Sequence, residues 1–410
     1  MSVAAVPAGL VATDVIALRS RARDVLEANW RTGARRADGL PYAYTCPSTP
    51  RYRHQWHWDS CFHAIAWSHF DPARAEAELR TLLASGRSDG FLPHTVFWGR
   101  PAGWRRAPFY ATERVLGATH TETIDPPLVA VAWERAGPWQ DTAALGQIGA
   151  HLDWLARERD PDGDGLLSIV LPDESGLDDS PKFDVVFGRY AHYRPSTVLL
   201  IEHCRRLGYS ARRIAACGEL HVEEVLVNVA YALSLHAMAR MTDEPSWALR
   251  AAATERALLA RSLDPGTGLF FDLAGRAETP VRVSTWSCLA PLALPGIPDD
   301  VKRRLVEEQL LDLRRYRAPV GIPSVSMEEP SYTPHFDRWR NWRGPSWVNT
   351  AWLLVPALRE LGYEEDAERI VASLARAALR EGFREYYDPR DGTGEAAKGF
   401  AWSTLLVDLV

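Results

Sequence analysis

The sequence predicts an all-α fold, a closed toroid of six inner and six outer helices, or (α/α)6 barrel. Three observations predict it. Apolar residues recur with a helical period in about a dozen segments. These segments are spread evenly over 410 residues without a composition break or a Ser/Gly-rich linker, so residues 1–410 are expected to form one domain. Self-similarity at a period of roughly 34–45 residues, which an open solenoid requires, is absent from the sequence.

The predicted helices follow from apolar spacing and from residues that begin or end helices. Asp71-Pro72 and Asp125-Pro126 are helix starts, and Gly208 and Gly362 are helix ends. The strong segments are 13–30, 58–69, 72–84, 126–135, 142–159, 195–207, 222–241, 246–263, 300–314, 346–361 and 365–380. Weaker helices are predicted near Trp286 and Phe400. Short strands are predicted only at places such as 167–171 and 279–283.

Four long irregular segments separate these helices and carry most of the unusual residues. Long loops in compact domains are usually functional. We therefore expect them to gather at one end of the barrel and form the active site. These loop insertions are 33–57, 86–118, 171–193 and 316–345.

Composition narrows the class of protein. The 47 basic and 53 acidic side chains give a net charge of −6, which offers no electrostatic basis for binding nucleic acid. No apolar run is long enough for a membrane helix, and the N-terminus lacks the basic region of a signal peptide. Five cysteines without a Cys-x-x-Cys pair argue against a disulfide framework, so a cytoplasmic location is expected. Sixteen tryptophans indicate large core helices or a carbohydrate-stacking cleft.

Two segments supply candidate catalytic carboxylates. Residues 171–184 hold five carboxylates interleaved with Leu171, Leu177 and Phe183. Partly apolar surroundings raise a carboxyl pKa, as a general acid requires. Residues 382–389 place Glu385 among aromatic neighbours, and the two segments together provide the carboxylate pair of glycoside hydrolysis. A solvated acidic loop and a simple helix end are the structural alternatives.

Two tryptophan-rich segments are candidate sugar sites. In residues 52–62, Trp56 and Trp58 are expected to point the same way from an extended segment, and Asp59 to cap the following helix. Indole rings stack on sugar C–H faces, while the carboxylate accepts hydrogen bonds from hydroxyls. Residues 339–347 alternate Trp and Arg before a Gly-Pro helix start. For both segments, core tryptophans are the alternative.

The sequence favours neither a metal nor an organic cofactor. Asp160–Gly165 resembles the opening of a calcium loop, but its twelfth position is Leu171, where a bidentate glutamate is needed. The segment is therefore interpreted as a tight acidic turn. Histidines have no metal-ligand spacing, and phosphate-loop and nucleophile-elbow motifs are absent.

Five motifs together resemble the inverting α-glycosidases of glycoside hydrolase family 63 and their trehalase-like and glucoamylase-like (α/α)6-barrel relatives. They occur in the family's order and span about residues 30 to 410. The compact bacterial members that the chain resembles most are mannosylglycerate and glucosylglycerate hydrolases. The motifs lie at 55–62, 90–94, 174–180, 342–347 and 383–389.

The resemblance implies hydrolysis of an α-hexosyl glycerate to hexose and glycerate with inversion. It makes Asp178 the general acid and Glu385 the general base. The substrate-binding residues that it implies are Tyr52, Trp56, Trp58, Asp59, Trp342, Arg343, Trp347 and Tyr386. Relatives often carry Gln where this chain has Asp125 and Tyr where it has Asn341, which bears on the aglycone contacts.

A glycerate carboxylate requires a cation, and Arg53, Arg194, Arg340 and Arg343 are the candidates. Two alternatives remain open. The substrate could be a neutral α-glucoside, as for a trehalase-like enzyme or an oligosaccharide glucosidase. The chain could instead be a non-catalytic sugar-binding toroid. In each case the partner is a small-molecule glycoside, and a homo-oligomer is expected.

Overall fold

The computed structural model describes residues 9–36, 38–99, 119–137, 139–187, 195–217, 221–335 and 341–410. The α-helices in these ranges are α1 (Ala12–Asn29), α2 (His57–Ser68), α3 (Pro72–Ala84), α4 (Val129–Ala136), α5 (Thr142–Arg159), α6 (Lys182–Phe187), α7 (Pro195–Arg206), α8 (Ala211–Ala216), α9 (Val225–Thr242), α10 (Pro245–Ala257), α11 (Asp299–Leu305), α12 (Val348–Glu360) and α13 (Glu364–Glu381). There are 3₁₀ segments at Pro172–Ser175, Trp286–Ala293 and Ala401–Asp408, and π-helical turns at Leu258–Ser262 and Val306–Leu310.

Six helical segments close an inner ring. Helix α2 packs on α4, α4 on α9, and α9 on the 3₁₀ segment Trp286–Ala293. That segment packs on α12, α12 packs on the 3₁₀ segment Ala401–Asp408, and the latter returns to α2. The outer helices α1, α3, α5, α10, α11 and α13 cover this ring. The predicted (α/α)6 barrel is therefore confirmed, with two inner members wound as 3₁₀ helix.

Inner and outer helices differ in which of their faces are buried. In α9, residues 225–232 are buried on all sides, as expected for a segment that contacts the ring and the outer layer at once. In α13, Ile370, Leu374 and Ala377 form a buried stripe while Glu365 and Arg376 are exposed. One continuous apolar core runs from Leu10 to Leu409.

The connections place the described parts of the long loops at one end of the barrel. Each of the first five inner segments is joined to the next outer helix by a short connection, at 69–71, 137–141, 243–244, 294–298 and 361–363. Each outer helix is joined to the next inner segment by a longer one. Since the layers alternate, the long loops meet at the end where the inner segments begin, as the sequence predicts. The positive ends of the inner helix dipoles therefore face this site.

Short strands occur within these loops, all in antiparallel pairs. They are β1 (Trp30–Ala34), β2 (Pro41–Thr45), β3 (Gln55–Trp56), β4 (Thr95–Val96), β5 (Ser168–Ile169), β6 (Val222–Glu223), β7 (Leu273–Ala274), β8 (Thr279–Pro280), β9 (Arg384–Tyr387) and β10 (Gly394–Lys398). The pairs are β1–β2, β3–β4 and β9–β10, and β5–β6–β7–β8 form a four-stranded sheet. Strands β5 and β8 correspond to the two predicted strands.

The start of α2 differs from the prediction. Trp56, in β3, occupies the N-cap position, and Asp59 is the third residue of the helix. Asp59 is therefore not the cap. Trp56 and Trp58 also do not share an extended face, because Trp58 is already helical. The carboxylate that accepts the Trp58 backbone N–H, at 2.9 Å, comes from Asp125.

Two other helix boundaries differ. The helix predicted from residue 126 begins at Val129, because Asp125-Pro126-Pro127 remains non-helical. The helix predicted over 300–314 is α11 followed by a π-helical turn. No helix of the described ranges is both long and apolar enough to cross a bilayer. All five cysteines are unpaired, and Cys217 is exposed.

Candidate active site

The acidic loop, residues 171–184, follows directly from the four-stranded sheet. Strand β5 ends at Ile169, and the 3₁₀ segment Pro172–Ser175 follows and ends at Gly176. Gly176 has φ +70°, and a Cβ atom there would lie 2.5 Å from the Trp58 ring. Only glycine fits this position, since the backbone must turn left-handed while lying against the indole. The Gly in the Glu-Ser-Gly motif therefore places the loop on α2.

We expect Gly176→Ala to lower the free energy of unfolding by about 2–5 kcal/mol, combining the left-handed penalty with overpacking against Trp58. Gly362→Ala is the matched control. Gly362 has φ +88° and open space around its Cβ position, so only the conformational penalty of about 1–2 kcal/mol applies. Urea denaturation of both variants measures the difference. Equal losses would show that the contact with Trp58 contributes nothing.

Glu174 anchors the loop. Its carboxylate is fully buried and accepts two hydrogen bonds from Arg159, at 2.7 and 2.6 Å. It also accepts the backbone N–H of Ile124 at 3.0 Å and of Val170 at 2.7 Å. Four donors satisfy both oxygens, so Glu174 has a structural role. Arg159 lies at the end of α5, and no sequence spacing links the two residues.

The adjacent carboxylates of Asp178 and Asp179 have different surroundings. Asp179 is buried and accepts the backbone N–H groups of Trp342, at 2.8 Å, and of Asn341. Asp178 is only half-buried. Burial, and then the charge of Asp178, raise the pKa of Asp179 well above its ordinary value. The pair therefore resists carrying two negative charges.

Three ion pairs hold the segment that follows these aspartates. Lys182 is buried and contacts Glu224 as well as Asp272, the latter at 2.9 Å. Asp184 accepts two hydrogen bonds from Arg343, both of 2.7 Å. After Asp178, the chain is therefore tied to residues that flank β6 and β7 and to the 341–347 segment.

Glu385 lies in β9 and is 4% exposed. Its Oε1 accepts a hydrogen bond from the Tyr52 hydroxyl at 3.0 Å, and its Oε2 accepts the Ala397 backbone N–H at 3.1 Å. Burial raises the pKa of Glu385, while the two hydrogen bonds and the charge of Arg51 act in the opposite direction. The charge of Asp178 raises the pKa further, so Asp178 is within electrostatic range of Glu385.

Tyr52→Phe is expected to move the acidic limb of kcat/KM to higher pH. The hydroxyl stabilises the charged form of Glu385, so its loss raises the pKa of a carboxylate that must be ionised to act as a base. A pH–rate profile measures the shift. Tyr44→Phe is the control, because the Tyr44 hydroxyl donates to the Arg53 backbone carbonyl instead. A limb unmoved in Tyr52→Phe would contradict this role.

The predicted sugar-binding tryptophans form a buried stack. Trp342 and Trp347 lie face to face, with ring centroids 3.8 Å apart and an angle of 8° between planes. Tyr386 contacts Trp347 at 4.7 Å, and Trp58 lies 6.3 Å from Trp342. Trp58, Trp342 and Trp347 are all buried. Trp56 is more open than these three and contacts Tyr52 edge-on at 5.8 Å.

Asp59 lies near the base. It is buried, and burial raises its pKa to about 7, with the nearby charge of His63 lowering it and that of Glu385 raising it. A carboxyl group with this pKa both donates and accepts hydrogen bonds near neutral pH. Such a group suits recognition of sugar hydroxyls.

The candidate arginines are placed differently. Arg343 is engaged by Asp184, and Arg53 is exposed, with its Nε donating to the Pro50 carbonyl at 3.1 Å. Arg194 and Arg340 lie outside the described residues. Asn341, where relatives often carry Tyr, accepts a hydrogen bond from the Tyr386 hydroxyl at 3.4 Å.

Three contributors were missed by sequence reasoning. Arg51 is exposed, with its guanidinium over the Tyr52 ring at 5.1 Å. Arg159 holds Glu174, as described above. Trp402 joins the tryptophan cluster, 5.2 Å from both Trp58 and Trp347. The aromatic run around Phe400 was the only sequence signal for any of them.

Two carboxylates on separate loops therefore share a site with buried aromatic rings and with tyrosines able to donate hydrogen bonds. Glycoside hydrolysis uses two carboxyl groups, one as a proton donor and the other as a base or nucleophile. A separate group of carboxylates with spacing for a cation, Asp162, Asp164, Glu223 and Glu278, includes neither Asp178 nor Glu385.

Comparisons with known proteins identify the family of the chain. A family model described as a mannosylglycerate hydrolase MGH1-like glycoside hydrolase domain matches residues 52–403. The mannosylglycerate hydrolase of Rubrobacter radiotolerans is 31% identical, covering 98% of each chain. The glucosylglycerate hydrolase of Mycolicibacterium hassiacum is 26% identical, covering 87% of this chain and 91% of that one.

Solved structures extend the similarity to the fold. The family 63 mannosylglycerate hydrolase of Thermus thermophilus, crystallised with Tris and D-glycerate, superposes with a TM-score of 0.81 at 29% identity. The alignment covers 96% of this chain and 99% of that one. Fold, site and comparisons together define a glycosidase. The chain belongs to the mannosylglycerate hydrolase MGH1-like glycoside hydrolases of family 63.

Proposed function

We propose that this protein hydrolyses mannosylglycerate, glucosylglycerate or both to hexose and glycerate, with inversion at the anomeric carbon. Asp178 is the proposed general acid and Glu385 the proposed general base. The observation that carries the proposal is Glu385, a buried carboxylate with two hydrogen-bond donors, within electrostatic range of the half-buried Asp178. The full-length similarity to hydrolases of both glycosylglycerates supports the substrate class.

In the proposed reaction, Asp178 protonates the glycosidic oxygen as the bond to the anomeric carbon breaks. Burial and the charge of Asp178 raise the pKa of the neighbouring Asp179, so Asp179 need not add a second negative charge beside the acid. The backbone N–H groups of Asn341 and Trp342 fix Asp179, and with it the direction of the loop.

On the opposite face of the sugar, Glu385 removes a proton from the attacking water. The Tyr52 hydroxyl and the Ala397 N–H hold its two oxygens and favour the ionised form that a base requires. Inversion follows when that water attacks from the side opposite the leaving group. The proposed sugar contacts are Tyr52, Trp56, Trp58, Asp59, Trp342, Trp347 and Tyr386.

The glycerate carboxylate needs a cation near the acid. Arg343 is the proposed contact, since its bidentate pair with Asp184 holds the guanidinium beside the acidic loop. The D-glycerate bound to the Thermus thermophilus relative supports a dedicated site for this group. A neutral disaccharide would offer no carboxylate for Arg343 to contact.

Hexose release from a matched set of substrates tests the proposal. The set comprises α-mannosylglycerate, α-glucosylglycerate, the corresponding hexosylglycerols and trehalose. We expect kcat/KM for a glycerate substrate to exceed that for its glycerol counterpart at least tenfold, because only glycerate presents a carboxylate. Faster release from a neutral substrate would overturn the proposed substrate class and indicate that the enzyme hydrolyses a neutral α-glucoside. No release from any of them would favour a non-catalytic sugar-binding toroid.

We also propose a cytoplasmic location, which the five unpaired cysteines support because reducing compartments keep thiols free. A homo-oligomer remains a prediction. Light scattering on the purified chain distinguishes it from a monomer.

A further inference from the structure

The acidic turn after α5 has a geometry that its sequence does not reveal. Asp160 accepts the backbone N–H groups of Gly163 at 2.7 Å, Asp164 at 3.2 Å and Gly165 at 3.1 Å. Both of its carboxylate oxygens are therefore used within the turn, unlike the first ligand of a calcium loop. The turn instead brings the Asp162 and Asp164 side chains to the four-stranded sheet.

Four carboxylates meet at this edge of the sheet. Asp162 and Asp164 come from the turn, Glu223 from β6 and Glu278 from the connection between β7 and β8. One oxygen from each lies within 4.8 Å of all the others. Opposite ligands of Ca²⁺ lie about 4.6–5.2 Å apart, since each Ca–O distance is about 2.3–2.6 Å, whereas those of Mg²⁺ lie about 4.0–4.2 Å apart. Oxygens up to 4.8 Å apart accommodate the ligand separation of Ca²⁺.

Glu223 provides an independent indication of a ligand. Its side chain is 2% exposed, and its Oε2 accepts no hydrogen bond from any described residue. A buried carboxylate oxygen without a donor is costly unless a cation compensates for it. The side chain is directed into the group formed with Asp162, Asp164 and Glu278.

Arg261 supplies only part of the compensating charge. Its Nε lies 2.7 Å from Asp164, and its Nη2 contacts Glu278. Four carboxylates against one guanidinium leave a formal excess of three negative charges. Asp162 is exposed, so water can reach the group. Water molecules can then complete the roughly six to eight oxygen ligands that Ca²⁺ takes.

We propose that Asp162, Asp164, Glu223 and Glu278 bind one Ca²⁺ ion. The expectation of no metal rests on Leu171 at the twelfth position of the turn and on the lack of metal-ligand spacing among the histidines. In the structure, two glutamates distant in sequence provide the carboxylates that the turn lacks.

The ion has a structural consequence for the active site. Glu223 pairs with Ser168 across β5 and β6, and the acidic loop begins just after β5. The proposed ion therefore joins the root of this loop to β6 and to the β7–β8 connection. It stabilises the loop without taking part in the reaction.

Calcium titration of the chelator-treated full-length protein tests the proposal. Calorimetry with CaCl2 is expected to give one site per chain, and saturating Ca²⁺ to raise Tm by several degrees. Asp162→Asn and Glu223→Gln are each expected to weaken Ca²⁺ binding at least tenfold. Asp162 is exposed, so its variant tests the site even where Glu223→Gln impairs folding.

Glu76→Gln is the matched control, because Glu76 is a carboxylate paired with Arg80 on α3, and it should bind Ca²⁺ like the parent protein. Absence of binding and of a Tm shift at millimolar Ca²⁺ would overturn the proposal. Full affinity in both site variants would also overturn it, since the ion would then lie elsewhere. Equal binding of MgCl2 would contradict the inferred size of the site.

Discussion

Asp178→Asn is expected to lower kcat on α-hexosyl glycerates by about 10²–10⁴-fold, the usual contribution of a positioned general acid. Asparagine keeps the size of the side chain but has no proton to give to the leaving glycerate oxygen. The loop should remain in place, because its anchors are Glu174, Asp179, Lys182 and Asp184 rather than Asp178. The measurement is initial hexose release, with Tm as the check on folding.

A substrate with an activated leaving group separates the acid from other roles. Fluoride departs with little need for a proton, so Asp178→Asn should hydrolyse the α-hexosyl fluoride far closer to the parent rate than it hydrolyses the glycerate. Equal losses on both substrates would show that Asp178 does not act as the acid. Unchanged activity on the glycerate would remove it from the mechanism altogether.

Glu385→Gln is expected to reduce kcat by a similar factor, about 10²–10⁴-fold, but on the fluoride as well as on the glycerate. Every hydrolysis needs an activated water, whatever the leaving group. Glutamine keeps the size of the side chain and accepts one of the two hydrogen bonds through its carbonyl oxygen, while its NH2 group cannot accept the other, so Tm checks folding. Kinetics on both substrates measure the pattern.

Azide provides the complementary test of the base. It is a nucleophile that needs no deprotonation, so it should partly restore turnover of the fluoride by Glu385→Gln and yield the inverted glycosyl azide. The parent enzyme should gain nothing from azide. A Glu385→Gln variant that hydrolyses the fluoride at the parent rate would contradict the assignment.

Much of the barrel could be predicted because its helices are long and periodic. Segments such as α5 and α13 have apolar spacing and end signals that are local in sequence. The inner segments Trp286–Ala293 and Ala401–Asp408 are short 3₁₀ turns, the first with an internal proline, and are helical only within the closed ring. Their sequences alone therefore give weak signals.

The candidate catalytic residues could be proposed from motifs, but the contacts that hold them could not. Arg159 and Glu174, or Asp179 and the N–H of Trp342, meet only after the chain has closed into a barrel. Asp59 was assigned the capping role that Asp125 performs from another loop. The calcium site is proposed only from the structure for the same reason, since Glu223 and Glu278 are far in sequence from the turn.

The tryptophans illustrate the limit of composition. The helical Trp67, Trp133 and Trp352 are buried, as packing residues should be. Trp342 and Trp347 stack on each other rather than lying open to solvent. Stacking removes apolar ring surface from water, which stabilises the buried arrangement. The more open Trp56 is therefore the best candidate for direct sugar stacking.

The stereochemistry of hydrolysis tests the central claim most directly. Proton NMR during hydrolysis of α-glucosylglycerate or α-mannosylglycerate, recorded faster than mutarotation, identifies the anomer formed first. Direct attack of a water activated by Glu385 predicts the β-hexose as the first product, followed by slow equilibration to the α form. Appearance of the α-hexose first would show retention through a covalent intermediate and would contradict the assignment of Asp178 and Glu385 as an inverting pair.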